Sequence, residues 1–548
     1  MDSPDGRDSL LPDRSGWALI GALALLFCWN LGRVELSVTD EARSAVIVRD
    51  MVEDGHWLLP RTPDGLWTEK PIAYYSLAAV IGTIFGVNEW TLRFVSVLMG
   101  VATLILTWVL ARLYGSPRAA LIAVVALAAN VLFIGCSRDA MVDMTLAFFL
   151  TAGLSAHFAA RLGRLQPLKG AILAGIAFGL AILTKGPIGL AMPIAVAGGD
   201  ALLEHRGRFW RAAGWWKEGL VTFGIAVAMS CAWYVPGYLR DGMAFLNNSL
   251  LDESLWMPLG KVKGQGVAHT KPLPYYFGIQ LAAVLPLLPL LPALVGWMKD
   301  RASDPARRHL TAWVGFGLLF FLIPSNKRMY YLIPLQPAAA AMIALAADRT
   351  FRGSDSRAVG LVSRIVAILA GLAGLTAAAL ALKPSLLGKL RGGTVSEAIL
   401  HQSVWMVILG AVLVAAGIRL FRAARADASA NLREACVFAL LVPLVRFGVG
   451  DRLEAEFNRT RPFIAAAAPK VAAGQVPVIL PPIRGYSLDF YWPTRIVRNK
   501  DAARKARYVL VARPQLQEIE GPVETLGTWK YGRDGSDDVL LLRREQAR

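Results

Sequence analysis

The side chains best suited to chemistry crowd into one charged, aromatic and proline-rich stretch, Ser37 to Tyr75, which reads SVTDEARSAVIVRDMVEDGHWLLPRTPDGLWTEKPIAYY. It brings together Asp40, Glu41, Arg43, His56, Glu69 and Lys70. Carboxylates mixed with guanidinium, ammonium and imidazole groups can bind an anion, orient a nucleophile or hold a metal. A second set lies in CSRDAMVDM, Cys136 to Met144, where a helical reading puts Asp139 and Asp143 one turn apart on one face. A third, SNKRMYYLIPLQP from Ser325 to Pro337, sets Lys327 and Arg328 beside Tyr330 and Tyr331. Lys185 stands in a tight link between two apolar runs.

Those sets are embedded in a chain that is otherwise suited to lipid. Of 548 residues, 55% are hydrophobic and the mean hydropathy is +0.46, which excludes an ordinary soluble protein. The formal net charge of +18 sits mainly in short loops between apolar segments, so anionic membrane lipid rather than nucleic acid is the expected partner. Cys28, Cys136, Cys231 and Cys436 all fall in apolar runs without metal or disulfide spacing. There is no Walker loop or dinucleotide fingerprint, hence no expected nucleotide cofactor.

Apolar runs long enough to cross a bilayer lie near 16–33, 91–112, 118–136, 143–160, 169–184, 186–203, 218–237, 275–298, 309–323, 329–347, 361–382, 401–421 and 434–450, about 13 crossings. Loops rich in Lys and Arg between them are expected to be cytoplasmic, which places 34–90, 137–142, the Lys185 turn, 238–274, 324–328 and 383–400 outside. Cations in the very short outer links, Arg138, Lys185, Lys327 and Arg328, then call for an anion. Parity makes Ile72 to Phe85 an interfacial helix started by Pro71 rather than a crossing, and the acidic N-terminus leads into a retained first helix. The 238–274 loop, with Lys261, Lys263, His269 and Lys271 among glycines, is expected to act as a lid or as a plain connector. From residue 451 onward, strand-like runs at Pro477–Leu480, Tyr508–Val511 and Val539–Leu542 indicate a soluble α/β domain, 451–548, outside the membrane.

Each candidate has a plainer reading beside the chemical one. Asp40 in the first turn of a helix running to Gly55, capped by Ser37 or Thr39, can be a dipole-favoured acid, and Arg43 three residues on can be its surface partner. Glu69 with His56 or His269 can hold a divalent metal or can simply be a hydrogen-bonded acid; Lys70 can contact phosphate or snorkel. Asp143 can serve a site or pair with Arg138.

The motifs TDEAR, GHWLLP, TEKPIAYY, SRDAMVD, LTKGP and SNKRMYYLIPLQP together resemble the bacterial membrane glycosyltransferases of the GT-C fold. Among these the chain is most similar to the aminoarabinose transferases that modify lipid A, with the protein mannosyltransferases next. The resemblance covers the membrane region to about residue 450. It implies a polytopic α-helical membrane protein with a C-terminal α/β domain that moves 4-amino-4-deoxy-L-arabinose from undecaprenyl phosphate to lipid A at the periplasmic face of the inner membrane, conferring polymyxin resistance. It also implies that Asp40 and Asp143 line the catalytic cavity, and that Glu69 and Lys70 match an E-K-P motif beside the donor, with KPI here in place of KPP. Lys185 and Tyr330 match donor-site positions, and Arg43, Tyr74, Lys327 and Arg328 join the substrate-binding set. Glu69 and His269 are the metal pair considered. Two other activities fit the same features: transfer of another polyprenyl-linked sugar to protein or glycan, and lipid transport.

Overall fold

In lipid every backbone N–H and C=O must find its partner within the chain, so long apolar runs become helices. The computed structural model describes residues 9–36, 40–205, 207, 215–256, 271–272, 274–299, 304–350, 357–383, 402–455, 460–481, 483, 486–519, 521–529 and 538–544. Among them, 7 helices are long and apolar enough to cross a membrane, or 8 if Pro274–Ala283 and Leu285–Lys299, bent by 79°, count as one span. They include Glu89–Tyr114, Val142–Arg161, Pro167–Lys185 and Met329–Thr350, and the chain is a multi-pass membrane protein.

Several apolar runs that look like single crossings in the sequence are broken, for local reasons. Asn130 ends Pro117–Ala128 and caps Val131–Cys136, its side chain accepting from the N–H of Phe133. Pro286 and Pro289 tighten Leu285–Leu290 into a 3₁₀ turn. The final run is divided into Ala428–Ala439, Leu441–Val445 and a π-helical turn, Arg446–Gly450. The expected interfacial helix is Ala73–Phe85, 13 residues long and beginning two residues after Pro71.

The chain forms two compact units. One comprises Met1–Trp29, Thr68–Tyr74 and Val95–Gly450; the other comprises Asn30–Trp67, Tyr75–Phe94 and Asp451–Arg548. The second unit therefore contains most of the charged stretch after the first helix, together with the C-terminal domain.

That second unit carries a two-stranded hairpin, β1 (Arg61–Thr62) with β2 (Gly65–Leu66), and a five-stranded sheet. The sheet strands are β3 (Val478–Ile479), β4 (Val497–Arg498), β5 (Tyr508–Ala512), β6 (Val523–Trp529) and β7 (Val539–Arg544), in the order β4-β3-β5-β7-β6. β3 runs parallel to β4 and β5, and β7 antiparallel to β5 and β6. Alternation sends Tyr508, Leu510, Val539 and Leu541 to one core, and Val509, Val511, Leu540 and Leu542 to another. With both faces covered, β5 and the Val539–Leu542 part of β7 read as unbroken apolar runs.

Buried charges knit the rest of this unit together. Arg93 reaches both carboxylate oxygens of Glu41 at 2.9 Å and donates to the carbonyls of Leu31, Val34 and Glu35. The Glu35 carboxylate accepts from the backbone N–H groups of Thr460 and Arg461, at the start of Thr460–Ala467, where a helix dipole favours an anion. Glu89 accepts from Arg461 and from the Tyr491 hydroxyl, and burial pushes that phenol up to about 12.

Candidate active site

In the first unit the site is built on the hairpin between Pro167–Lys185 and Ile188–Glu204. Gly186 caps the first helix at φ +76°, a conformation that glycine adopts without steric cost, and its N–H donates to the Ile182 carbonyl at 2.7 Å. Gly189 lets the second helix lie against the backbone of the first: a Cβ there would stand 2.4 Å from the Ala181 carbonyl carbon and the Ile182 nitrogen. The turn fixes Lys185 as the last residue of its helix, the end that favours a cation.

Asp143 occupies the first turn of Val142–Arg161, the end that favours an anion. The two meet, with Lys185 Nζ 2.5 Å from Asp143 Oδ1 and Asp143 only 3% exposed. The Lys185 ammonium also lies 4.5 Å from the ring centre of Tyr331 and 5.5 Å from that of Tyr330. Both tyrosines sit on the 3₁₀ turn Met329–Leu335 that leads into Gln336–Thr350. Arg328 donates to the Tyr330 hydroxyl, and Lys327 turns back to donate to the Pro324 carbonyl at 2.6 Å. Three separately chosen motifs thus supply one cluster of Asp143, Lys185, Arg328, Tyr330 and Tyr331.

Other residues stand differently from the expectation. Asp143 pairs with Lys185 rather than Arg138, whose guanidinium donates to the Trp29 carbonyl at 2.7 Å and lies 4.3 Å from the Phe447 ring centre. Asp139 does not share a helical face with Asp143: it lies in the turn before that helix, its carbonyl accepting from Ser96 Oγ at 2.6 Å. Glu69 and Lys70 are half-buried in the turn ahead of Ala73–Phe85, and Tyr74 is fully buried.

In the second unit Asp40 opens the helix Asp40–Glu53, and its Oδ1 lies 2.5 Å from Arg43 Nη2. Both side chains keep about a fifth of their surface exposed, at 22% and 21%. Arg43 also lies 5.3 Å from the ring centre of Trp67, a partner that the sequence reading passed over although it stands in the same TEKPIAYY neighbourhood. Tyr331, which the SNKRMYYLIPLQP motif places beside Lys327 and Arg328 but which is not in the expected substrate-binding set, is the ring nearer Lys185. Ser37, Thr39 and residues 257–270 of the proposed lid, including Lys261, Lys263 and His269, lie outside the described residues, whereas its first part, 238–256, is helical rather than a loop, continuing Trp215–Leu246 into the π-helical Asn247–Trp256.

A metal has one geometric candidate among the described residues: Asp50, Asp54 and His56, whose ligand atoms lie within 4.8 Å of one another. It does not include Glu69. Its groups already have partners, since His56 Nδ1 lies 3.1 Å from Asp50 Oδ1 and Arg495 donates to Asp54 at 2.5 Å. The Arg495 hydrogen bond holds the Asp54 carboxyl below the usual range.

The described helices make a polytopic membrane fold of the GT-C type that the motifs resemble. The likeness extends to solved structures: ArnT from Cupriavidus metallidurans bound to undecaprenyl phosphate superposes with a TM-score of 0.75 at 21% identity, over 97% of this chain and 98% of that one. Residues 69–234 match the family described as dolichyl-phosphate-mannose-protein mannosyltransferase. The undecaprenyl phosphate-alpha-4-amino-4-deoxy-L-arabinose arabinosyl transferase of Aeromonas salmonicida is 29% identical over 67% of this chain and 66% of its own length. The protein of the same name from Aeromonas hydrophila is 28% identical over 62% of this chain and 61% of its own. The chain thus spans just under two thirds of these relatives' length.

Proposed function

We propose that this chain transfers 4-amino-4-deoxy-L-arabinose from undecaprenyl phosphate to a phosphate of lipid A, working as a pentosyltransferase at the periplasmic face of the bacterial inner membrane. The observation that carries the reading is the buried Asp143–Lys185 pair beneath Tyr330 and Tyr331, on a fold shared with a protein solved with undecaprenyl phosphate. Breaking the sugar–phosphate bond leaves an anionic polyprenyl phosphate. Lys185 and Arg328 are assigned to that leaving charge, where one well-placed donor is worth about a hundredfold or more in rate. Asp143 holds Lys185 in place and, beside the donor sugar, balances developing positive charge at the anomeric carbon or binds the sugar amine. Lys70 and Lys327 are assigned as further phosphate contacts, and Glu69 and Tyr74 as donor-binding residues.

The acceptor phosphate has a second pKa of about 6 and is already ionised near neutrality, so no strong general base is needed. Asp40, held by Arg43, is assigned to orienting the acceptor or the sugar amine rather than to taking a proton. Glu69 and His269 offer one carboxylate and one imidazole to a divalent ion, fewer than the three protein ligands typical of a catalytic zinc site.

The check is separate replacement of Asp40 and Asp143 by Asn with transfer assayed in liposomes. Each variant is expected to lose about a hundredfold or more of its turnover; near-normal turnover in both overturns the assignment. The match of residues 69–234 to the mannosyltransferase family supports a second reading, transfer of another polyprenyl-linked sugar to protein or glycan. A modified protein or glycan with unmodified lipid A would establish it.

A further inference from the structure

Within the second unit the α/β fold grips the helix that carries Asp40 on the side away from Asp40. Arg49 follows Asp40 by nine residues, which at 100° per residue places it on the opposite face of the same helix. Its guanidinium donates to two consecutive carbonyls, Asp489 at 2.8 Å and Phe490 at 3.3 Å, in the short helix Ser487–Tyr491. That helix is itself anchored. The buried Asp489 carboxylate takes a two-point contact from Arg498, at 3.1 and 2.6 Å, and Arg498 also donates to the Ile483 carbonyl at 2.9 Å. The last turn of the Asp40 helix is held by Arg495, which reaches Asp54 at 2.5 Å and Glu53 at 2.7 Å. Tyr486 donates to Asp64, in the turn of the β1–β2 hairpin, at 2.7 Å.

Close packing and the Arg93–Glu41 pair hold the start of this helix, and Arg49 holds its opposite face nine residues on. A planar guanidinium seated on two neighbouring carbonyls adds an orientation-specific contact there, because the donors of Arg form a rigid fork. Since Arg498 satisfies the Asp489 carboxylate, Arg49 takes the backbone, and its contact sets helix position.

We infer that the C-terminal α/β domain is a positioning element for the transfer reaction, acting through Arg49, which docks the Asp40 helix on Ser487–Tyr491 and sets the rotation at which Asp40 and Arg43 are presented. The inference rests on the proposed transferase function for its kinetic consequence. Arg49 is a positioning residue and is given no contact with substrate.

The test compares full-length protein with its Arg49→Gln and Arg49→Lys variants in liposomes, by steady-state transfer and by amide hydrogen exchange. Arg49→Gln is expected to lower kcat about ten- to a hundredfold with the donor KM nearly unchanged. Exchange should rise across Asp40–Glu53 while Val142–Arg161 stays protected, and Arg49→Lys, whose ammonium lacks the fork, should fall between. Wild-type kcat in Arg49→Gln overturns the inference, and so does a loss of kcat that comes with exchange rising through Val142–Arg161 as well, or with no change in exchange. If the unsubstituted protein transfers no sugar, it is the functional reading that fails; unchanged exchange across Asp40–Glu53 in Arg49→Gln would then still overturn the docking role, and a confined rise would uphold it.

Discussion

A carboxylate and an ammonium enclosed together, as Asp143 and Lys185 are, cost several kcal/mol to desolvate, which their mutual attraction repays only while both are present. Removing one partner leaves the other charge stranded, at about 3–5 kcal/mol. Asp143→Asn and Lys185→Met are therefore each expected to lower the thermal midpoint, while the double variant recovers most of that loss because no buried charge remains. Transfer should stay about a hundredfold or more below the unsubstituted protein in all three. Thermal unfolding and turnover measured on the same preparations check this; a double variant that regains activity along with stability would reduce the pair to a structural strut. The sequence marked both residues, Asp143 as an intramembrane acid and Lys185 as a cation in a short outer link, but they are 42 positions apart and nothing local says that they meet. Arg138, only five residues from Asp143, was the nearer partner in sequence, yet it is occupied with the Trp29 carbonyl and the Phe447 ring.

Elements decide how tightly such residues are held. The Lys185 hairpin depends on Gly189, where any Cβ would press into backbone atoms of Ala181 and Ile182, which cannot rotate away. Gly189→Ala should cost about 1–3 kcal/mol through overpacking and should depress turnover by shifting Lys185. On the same helix Gly198 has nothing within 4 Å of its would-be Cβ, so Gly198→Ala should be neutral or gain up to about 1 kcal/mol in helix propensity. Thermal midpoints of the two variants in one detergent separate these effects; equal midpoints contradict the close-packed hairpin. Long, evenly apolar runs such as 143–160 and 361–382 were legible as helices because their composition leaves no alternative in lipid. The breaks were less so: Asn130 in a run of small apolar residues signals a cap only once its side chain is seen on the Phe133 N–H. In the α/β domain β5 and the Val539–Leu542 part of β7 announce themselves as apolar runs, whereas β6, an edge strand carrying exposed Glu524 and a bulge between Thr525 and Gly527, hides its alternation. β4 is too short to register in sequence at all.

At the scale of the molecule, the chain forms two compact units. The membrane-spanning unit provides the Asp143–Lys185 cluster, and the second ties the Asp40 helix to the C-terminal domain through buried charges from residues far apart in the chain. The charged stretch Ser37 to Tyr75 looks like a single loop in sequence, but long-range pairs such as Glu35 with Thr460 and Arg461, which no local pattern encodes, draw its flank into the C-terminal fold. Transfer of an aminopentose to lipid A, the proposed function, is tested by the mass of lipid A from cells with the protein, without it, and with Asp143→Asn. An added 4-amino-4-deoxy-L-arabinose mass is expected only in cells with the unsubstituted protein; identical lipid A in all three, with the protein present in the membrane and the donor supplied, overturns the proposed function.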